Sequence, residues 1–331
     1  VLAAGGGRVK FPAGTYLINS TSSADASPNG LLIPDTNGDF STNNAVTLVG
    51  DGLDSVIKAG SNNMVIIRNS RLYTTIEKLR IDGDSKAGVI GVGVIPESQT
   101  QTTELVSNSF FTMRDVHVEN CTEGMKFQPG PTVMGSDSGC FYHHIERCTF
   151  NLNTRHVWAV KDVTGAGNRT TRSKFSHCVF LRGNTGVQFD GATEIDLVSC
   201  YWERINTGTS PNATPVGFFY NDTNPALITL IGGYAETCTK AFVARAGAEP
   251  FVSLIGCETS VVPDTSQALM NKHVPGRMVI SKPYANGLVE LSFGNASFVG
   301  FQADPLQTNS KTLDLTINGG TLQWNNEFNL S

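Results

Sequence analysis

Glu146–Ala159 reads ERCTFNLNTRHVWA and Ser176–Phe189 reads SHCVFLRGNTGVQF. Three further segments show the same pattern: Arg114–Phe127 (RDVHVENCTEGMKF), Ser199–Ile205 (SCYWERI) and Gly232–Val243 (GGYAETCTKAFV). A short alternating run leads into a polar turn, and a second alternating run follows. The anchor positions Val116, Cys148, Cys178, Cys200 and Gly233 lie 32, 30, 22 and 33 residues apart. The wider gaps hold insertions such as Asn206–Pro215 (NTGTSPNATP), so the basic unit is about 22 residues. Alternation with period 2 marks strands, and no helical period competes with it.

Two or three short strands in each unit of this length predict an all-β solenoid whose coils stack into parallel sheets. A β-propeller has longer units, roughly 40 residues, with antiparallel strands. In the solenoid, equivalent residues form columns about 4.8 Å apart per coil. Val116/Val118, Cys148/Phe150, Cys178/Phe180 and Cys200/Trp202 point inward on the first strand. Met125/Phe127, Val157/Ala159, Val187/Phe189 and Phe218/Tyr220 do so on the second. The repeat assigns residues 1–262 to the solenoid. After Pro263 it weakens (MVIS, LVELSF, TLDLTINGG), so 263–331 is expected to form a β cap or a small β-sandwich.

The chain has 331 residues, 24 Lys+Arg against 29 Asp+Glu, and a net charge of −5. The mild acidity argues against sequence-independent nucleic-acid binding, which needs a basic face. Apolar runs such as Val89–Ile95 fall far short of the roughly 20 residues that cross a bilayer, so no membrane insertion is expected. Seven cysteines cannot all pair with one another. Cys148, Cys178, Cys200 and Cys257 recur in similar settings and read as stacked, unpaired core positions. No C-x-x-C occurs, His143-His144 lacks a third ligand, and Asp82-Gly83-Asp84 is a single acidic turn. Neither a metal nor a cofactor is expected.

Gly5–Ile18 (GGGRVKFPAGTYLI), Leu48–Gly52 (LVGDG) and the two Tyr-x-Glu segments at Tyr201–Glu203 and Tyr234–Glu236 resemble coils of the pectate-lyase-like superfamily. The similarity is to bacteriophage tailspikes and their depolymerase relatives in particular, and it covers roughly residues 5–260. It implies a right-handed parallel β-helix, a homotrimer on the phage virion, and binding and cleavage of a bacterial surface polysaccharide. The chain begins at the first coil, so a fragment lacking a head-binding domain is expected.

The outward columns are where chemistry would sit. His117, Thr149, Val179, Tyr201 and Tyr234 form one, and Glu119, Asn151, Leu181, Glu203 and Glu236 another. Glu203 and Glu236 are therefore expected as vertical neighbours, a carboxylate pair suited to glycosidic hydrolysis, with Tyr201 and Tyr234 stacking on sugar rings. Alternatively, Tyr-x-Glu is a strand-edge motif whose Glu bonds to turn backbone. The second strand points Lys126, Trp158, Gln188, Phe219 and Val243 outward, making Trp158 and Phe219 candidate binding aromatics or positions buried beneath a loop or at a subunit contact. Asp190 is a third acid candidate, although Asp190-Gly191 is also an ordinary turn pair. Arg155, His156, Lys161, Arg169, Arg172, Lys174, His177 and Arg182 form a basic cluster. His156, Lys161 and Arg182 are singled out as ligands for an acidic sugar, against a solvated loop. Three activities stay open: hydrolysis, elimination across a uronate, and adhesion without cleavage.

Overall fold

The computed structural model describes residues 6–19, 29–34, 45–95, 109–129, 140–161, 170–192, 194–205, 216–220, 226–236 and 238, followed by strands ending at Ile317. Cys257 and the insertion 206–215 lie outside them, as do Arg169 and the side chain of Phe219.

Three parallel sheets of eleven strands run the length of the chain. One coil shows how they arise. Cys140–Glu146 enters the first sheet, Thr149–Asn151 the second and Arg155–Ala159 the third. The next coil repeats the order with Thr170–Ser176, Val179–Leu181 and Thr185–Phe189. Each strand pairs only with its equivalents one coil away. Crossovers between parallel strands are right-handed because the strand twist favours that return path. The result is a right-handed parallel β-helix. The predicted pairs of the repeat are the second and third sheets, and the first sheet supplies the third strand of each coil. Strands from Ala268–His273 to Leu313–Ile317 are added to the same three sheets.

The corners use single left-handed residues. Between the first and second sheets these are Lys78, Asp115, Arg147, His177, Ser199 and Gly232, with φ between 49° and 59°. Between the second and third they include Asn120, Leu152, Arg182 and Arg204. A left-handed residue costs roughly 1–2 kcal/mol when it is not Gly. The turn keeps the backbone ladder unbroken in return: Arg147 N donates to Ser176 O at 2.9 Å, and Arg182 N to Glu203 O at 2.9 Å. A third such column, Tyr73, Phe110, Tyr142 and Arg172, stands where chains enter the first sheet. Its rings stack at 4.8 and 5.2 Å between centroids, and the Arg172 guanidinium lies over Tyr142 before reaching Glu194 at 2.8 Å.

Inside, the columns follow the sequence reading. Phe180 lies between Phe150 and Trp202, with centroids 5.4 and 5.6 Å away and planes within 19°. Cys148, Cys178 and Cys200 are buried, unpaired and aligned below one corner. Asn153 bridges coils as a polar strut in this core. Its Oδ1 accepts from Cys121 N at 2.9 Å, and its Nδ2 donates to Val118 O at 3.1 Å.

Candidate functional site

The register places Tyr201 beside Tyr234 and Glu203 beside Glu236 on the outer face of the second sheet. Trp202 and Ala235 between them are buried and hold these strands against the core. The four outward side chains are half-buried. Tyr201 donates its one hydroxyl proton to Glu236 Oε2 at 2.6 Å and stands 3.2 Å from Glu203 Oε2. Burial pushes the Tyr201 hydroxyl well above the usual phenol range, the hydrogen bond to Glu236 and the charges of both carboxylates adding to it.

Laid end to end, the two contacts of the hydroxyl span less than the roughly 6.5 Å at which the carboxyl separation of inverting glycosidases begins. The two Oε2 atoms are therefore closer together than the inverting range. Arg204 Nε lies 3.3 Å from Glu203 Oε1, an exposed contact of little energetic weight. Among the described residues no cation pairs with Glu236. The tyrosine rings stack on each other, with centroids 5.4 Å apart and planes 4° apart. The face that Tyr201 was expected to offer to a sugar is thus turned onto Tyr234.

Of the basic candidates among the described residues, only Arg182 joins this group. It is exposed at the corner just below Glu203, to whose carbonyl its backbone N–H donates. His156 does not face the surface. Its ring is fully buried between Phe150 and Phe180, and its Nδ1 faces Asn153 Nδ2 at 3.1 Å. Burial drives its pKa down to about 3, so it stays neutral. The apolar surroundings decided its direction, which strand alternation alone misassigned.

Trp158, Asp190 and Lys161 assemble elsewhere, on and beside the third sheet. Trp158 Nε1 donates to Asp190 Oδ2 at 2.6 Å, and Gln188 Nε2 donates to Asp190 Oδ1 at 2.7 Å. Both oxygens of Asp190 are thereby engaged, on a different sheet from Glu203 and Glu236. The Lys161 backbone packs against Gly191, where a Cβ would lie 2.8 Å from the Lys161 Cα. Phe219 is in register with Gln188 on this sheet. Glu123 is an addition that the sequence reading passed over. It pairs in register with Arg155, an alignment already present between NCTE and LNTR in the repeat, where Glu123 and Arg155 are equivalent.

The lower part of the second sheet is also charged. Glu119 is bound by Arg80 and by His117 Nε2 at 3.0 Å. Burial lowers the His117 pKa more than Glu119 raises it. Among the described residues no cluster of three or more His, Cys, Asp or Glu could hold a metal.

No protein-family model matches the sequence, and no curated relative is found. Solved structures do match. ORF18 of Geobacillus virus E2 superposes with a TM-score of 0.61 at 17% identity, over 90% of this chain. The tailspike of Escherichia coli bacteriophage HK620, solved with a pentasaccharide, gives 0.54 at 11% identity over 97% of this chain. The A-module of a mannuronan C-5 epimerase from Azotobacter vinelandii gives 0.51 at 13% identity over 97% of this chain and 92% of its own. The chain spans 52% of the first of these proteins and 61% of the second. At these identities the likeness is one of fold: the protein shares its right-handed parallel β-helix with a viral protein, a phage tailspike and a mannuronan epimerase module.

Proposed function

We propose that this chain is the β-helical part of a phage tailspike depolymerase that binds and cleaves a bacterial surface polysaccharide by glycosidic hydrolysis. The observation that carries the reading is the Glu203–Tyr201–Glu236 contact, two carboxylates on adjacent coils sharing one phenol. The pentasaccharide bound to the HK620 tailspike supports the ligand class. In the proposed reaction one carboxyl protonates the glycosidic oxygen while the other attacks the anomeric carbon. Water then releases the sugar, with the first carboxylate acting as base. Tyr201 holds the pair in register, and Arg182 and Tyr234 line the adjacent surface. Action outside the host cell, on the virion, as a homotrimer, belongs to the same proposal.

The test is Glu203→Gln and Glu236→Gln on a panel of capsular and O-antigen polysaccharides. Each variant should lose turnover by about 10²–10⁴-fold while glycan binding persists. With this nucleophile role the released sugar should keep its anomeric configuration, readable by NMR during the first turnovers. Full activity of both variants would sink the assignment. Inverted product would remove the nucleophile role. Unsaturated, ultraviolet-absorbing product would point to elimination, and binding without product to an adhesin.

A further inference from the structure

Among the described residues, three charged side chains on the outer face of the third sheet form no ion pair. Glu123 and Arg155 are neighbours in register, yet among the described residues no hydrogen bond or ion pair joins them. Arg155 Nε and Nη1 and Glu123 Oε2 are buried atoms without a hydrogen-bond partner. Lys126, in register with Trp158, places its ammonium 4.8 Å from the indole centroid, and the Arg155 guanidinium lies 3.9 Å from the same ring. Asp190 is the acid nearest to hand through Trp158, and its two oxygens are engaged by Trp158 and Gln188.

Two half-buried cations over one indole are an expensive arrangement. Cation–π attraction returns about 0.5–2 kcal/mol each, less than the several kcal/mol that desolvating an unpaired ion costs. Burial accordingly lowers the pKa of both Lys126 and Arg155 and raises that of Glu123, the opposing charges offsetting it only in part. A purely structural cluster would have closed the Glu123–Arg155 pair, which the register makes available.

We propose that Lys126, Arg155 and Trp158 form a subsite for the carboxylate of an acidic sugar. With Nε and Nη1 unpartnered, the Arg155 guanidinium can pair with a planar carboxylate through an edge that includes Nη2, where the two N–H donors run parallel. Lys126 supplies a second charge, and the Trp158 indole fixes both cations. Lys126 and Arg155 face Glu123 and, through Trp158, Asp190, so the group is neutral with both acids ionised, and the Arg155 donors rather than net charge select a carboxylate. The inference takes its ligand class from the proposed polysaccharide activity but does not depend on the Glu203–Glu236 pair. It makes the substrate an acidic polysaccharide.

An array of acidic and neutral capsular and O-antigen polysaccharides, probed with the parent protein, tests this. The glycan retained should carry carboxylates, and reducing those carboxyls to alcohols should abolish retention. Arg155→Met and Lys126→Met should each weaken binding about tenfold or more. Arg155→Lys should recover only part of the loss, because it keeps the charge without the fork. Near-ultraviolet circular dichroism identifies variants that have merely misfolded, and Arg155→Lys keeps the test open if Arg155→Met does so. Retention of neutral glycans only, undiminished binding after carboxyl reduction, or parental affinity in both Met variants would overturn the subsite. A neutral polysaccharide that is bound and cleaved would leave the depolymerase reading standing, whereas retention of no glycan would refute both.

Discussion

Tyr201→Phe removes one oxygen and keeps the ring stacked on Tyr234. The deleted hydroxyl makes a charge-assisted bond to Glu236 at 2.6 Å. Such bonds contribute about 1.5–3 kcal/mol when buried, and partial exposure here reduces that to about 1 kcal/mol. A second loss follows, because Glu203 and Glu236 then face each other across one coil with no donor between them. Two like charges about 5 Å apart repel by about 0.8 kcal/mol in bulk water and about 3 kcal/mol at an effective dielectric of 20. The expected destabilisation is about 1–2 kcal/mol, larger at low salt. Denaturant titration at neutral pH reads it. In a double-mutant cycle with Glu236→Gln, the two changes should couple by about 0.5 kcal/mol or more. Alkaline pH adds a second readout. The folded protein keeps the Tyr201 proton at pH values where the unfolded chain has lost it. The stabilisation is complete below the unfolded value, about 10, and is lost as pH rises from there through the raised folded value, by up to about 1.4 kcal/mol per pH unit. Tyr201→Phe should flatten that decline. Equal midpoints at neutral pH, together with equal slopes above pH 10, would refute the bridging role.

Phe180→Ala should cost about 3–5 kcal/mol, since it leaves a cavity between Phe150 and Trp202. Glycan binding below the unfolding transition should survive, because Phe180 touches only the core; a loss under 1 kcal/mol would show that the stack relaxes freely. His143 and His156 are buried with pKa values pushed down to about 3, so both are neutral in the folded protein. Their stabilising preference is complete above the unfolded value, about 6.5, and is lost as pH falls from there toward about 3. In a histidine-labelled sample, two of the six imidazoles should remain neutral well below pH 6.5 until the protein unfolds; ordinary titration of all six would contradict their burial.

The outward columns were legible because stacking turns sequence alignment directly into neighbour lists. Tyr201 over Tyr234 and Trp158 over Gln188 follow once Cys148, Cys178, Cys200 and Gly233 are aligned. The corners were not legible. Their left-handed residues are mostly Lys, Asp, Arg, His, Ser, Asn and Leu, with Gly at Gly52 and Gly232 among the positive-φ residues between the first two sheets. The usual glycine punctuation is missing because ladder hydrogen bonds offset the strain. His156 was misplaced for a different reason. The alternation breaks at Gly124 and His156, which pairing skips between Glu123↔Arg155 and Met125↔Val157. The ring then turns inward toward Asn153, a contact that no local pattern announces. Likewise, side-chain length brings Tyr201 to Glu236 on the next coil, and residue spacing shows only that their strands are neighbours.

Charge in a stacked solenoid has to be managed coil by coil. On the first sheet the signs alternate: Glu77, Arg114 and Glu146 follow one another in register, with Arg114 Nε 2.7 Å from Glu77. Asp82 and Glu119 are like-charged neighbours, but each has its own donors. Asp82 accepts from Asn120 Nδ2 and Asp84 N, while Glu119 takes Arg80 and His117. In the Glu203–Glu236 pair Glu203 meets Arg204, but among the described residues Glu236 has a phenol and no cation. Such a pair gains little from a neutral sugar in its ground state. It gains most from the positive charge that develops on the ring as a glycosidic bond breaks. An interaction of that kind lowers the barrier without tightening ground-state binding. Replacing either acid by Gln should therefore reduce kcat far more than it changes the Kd for the polysaccharide. A structural Tyr-x-Glu motif would instead show its effect in stability, with kcat and Kd both near the parental values.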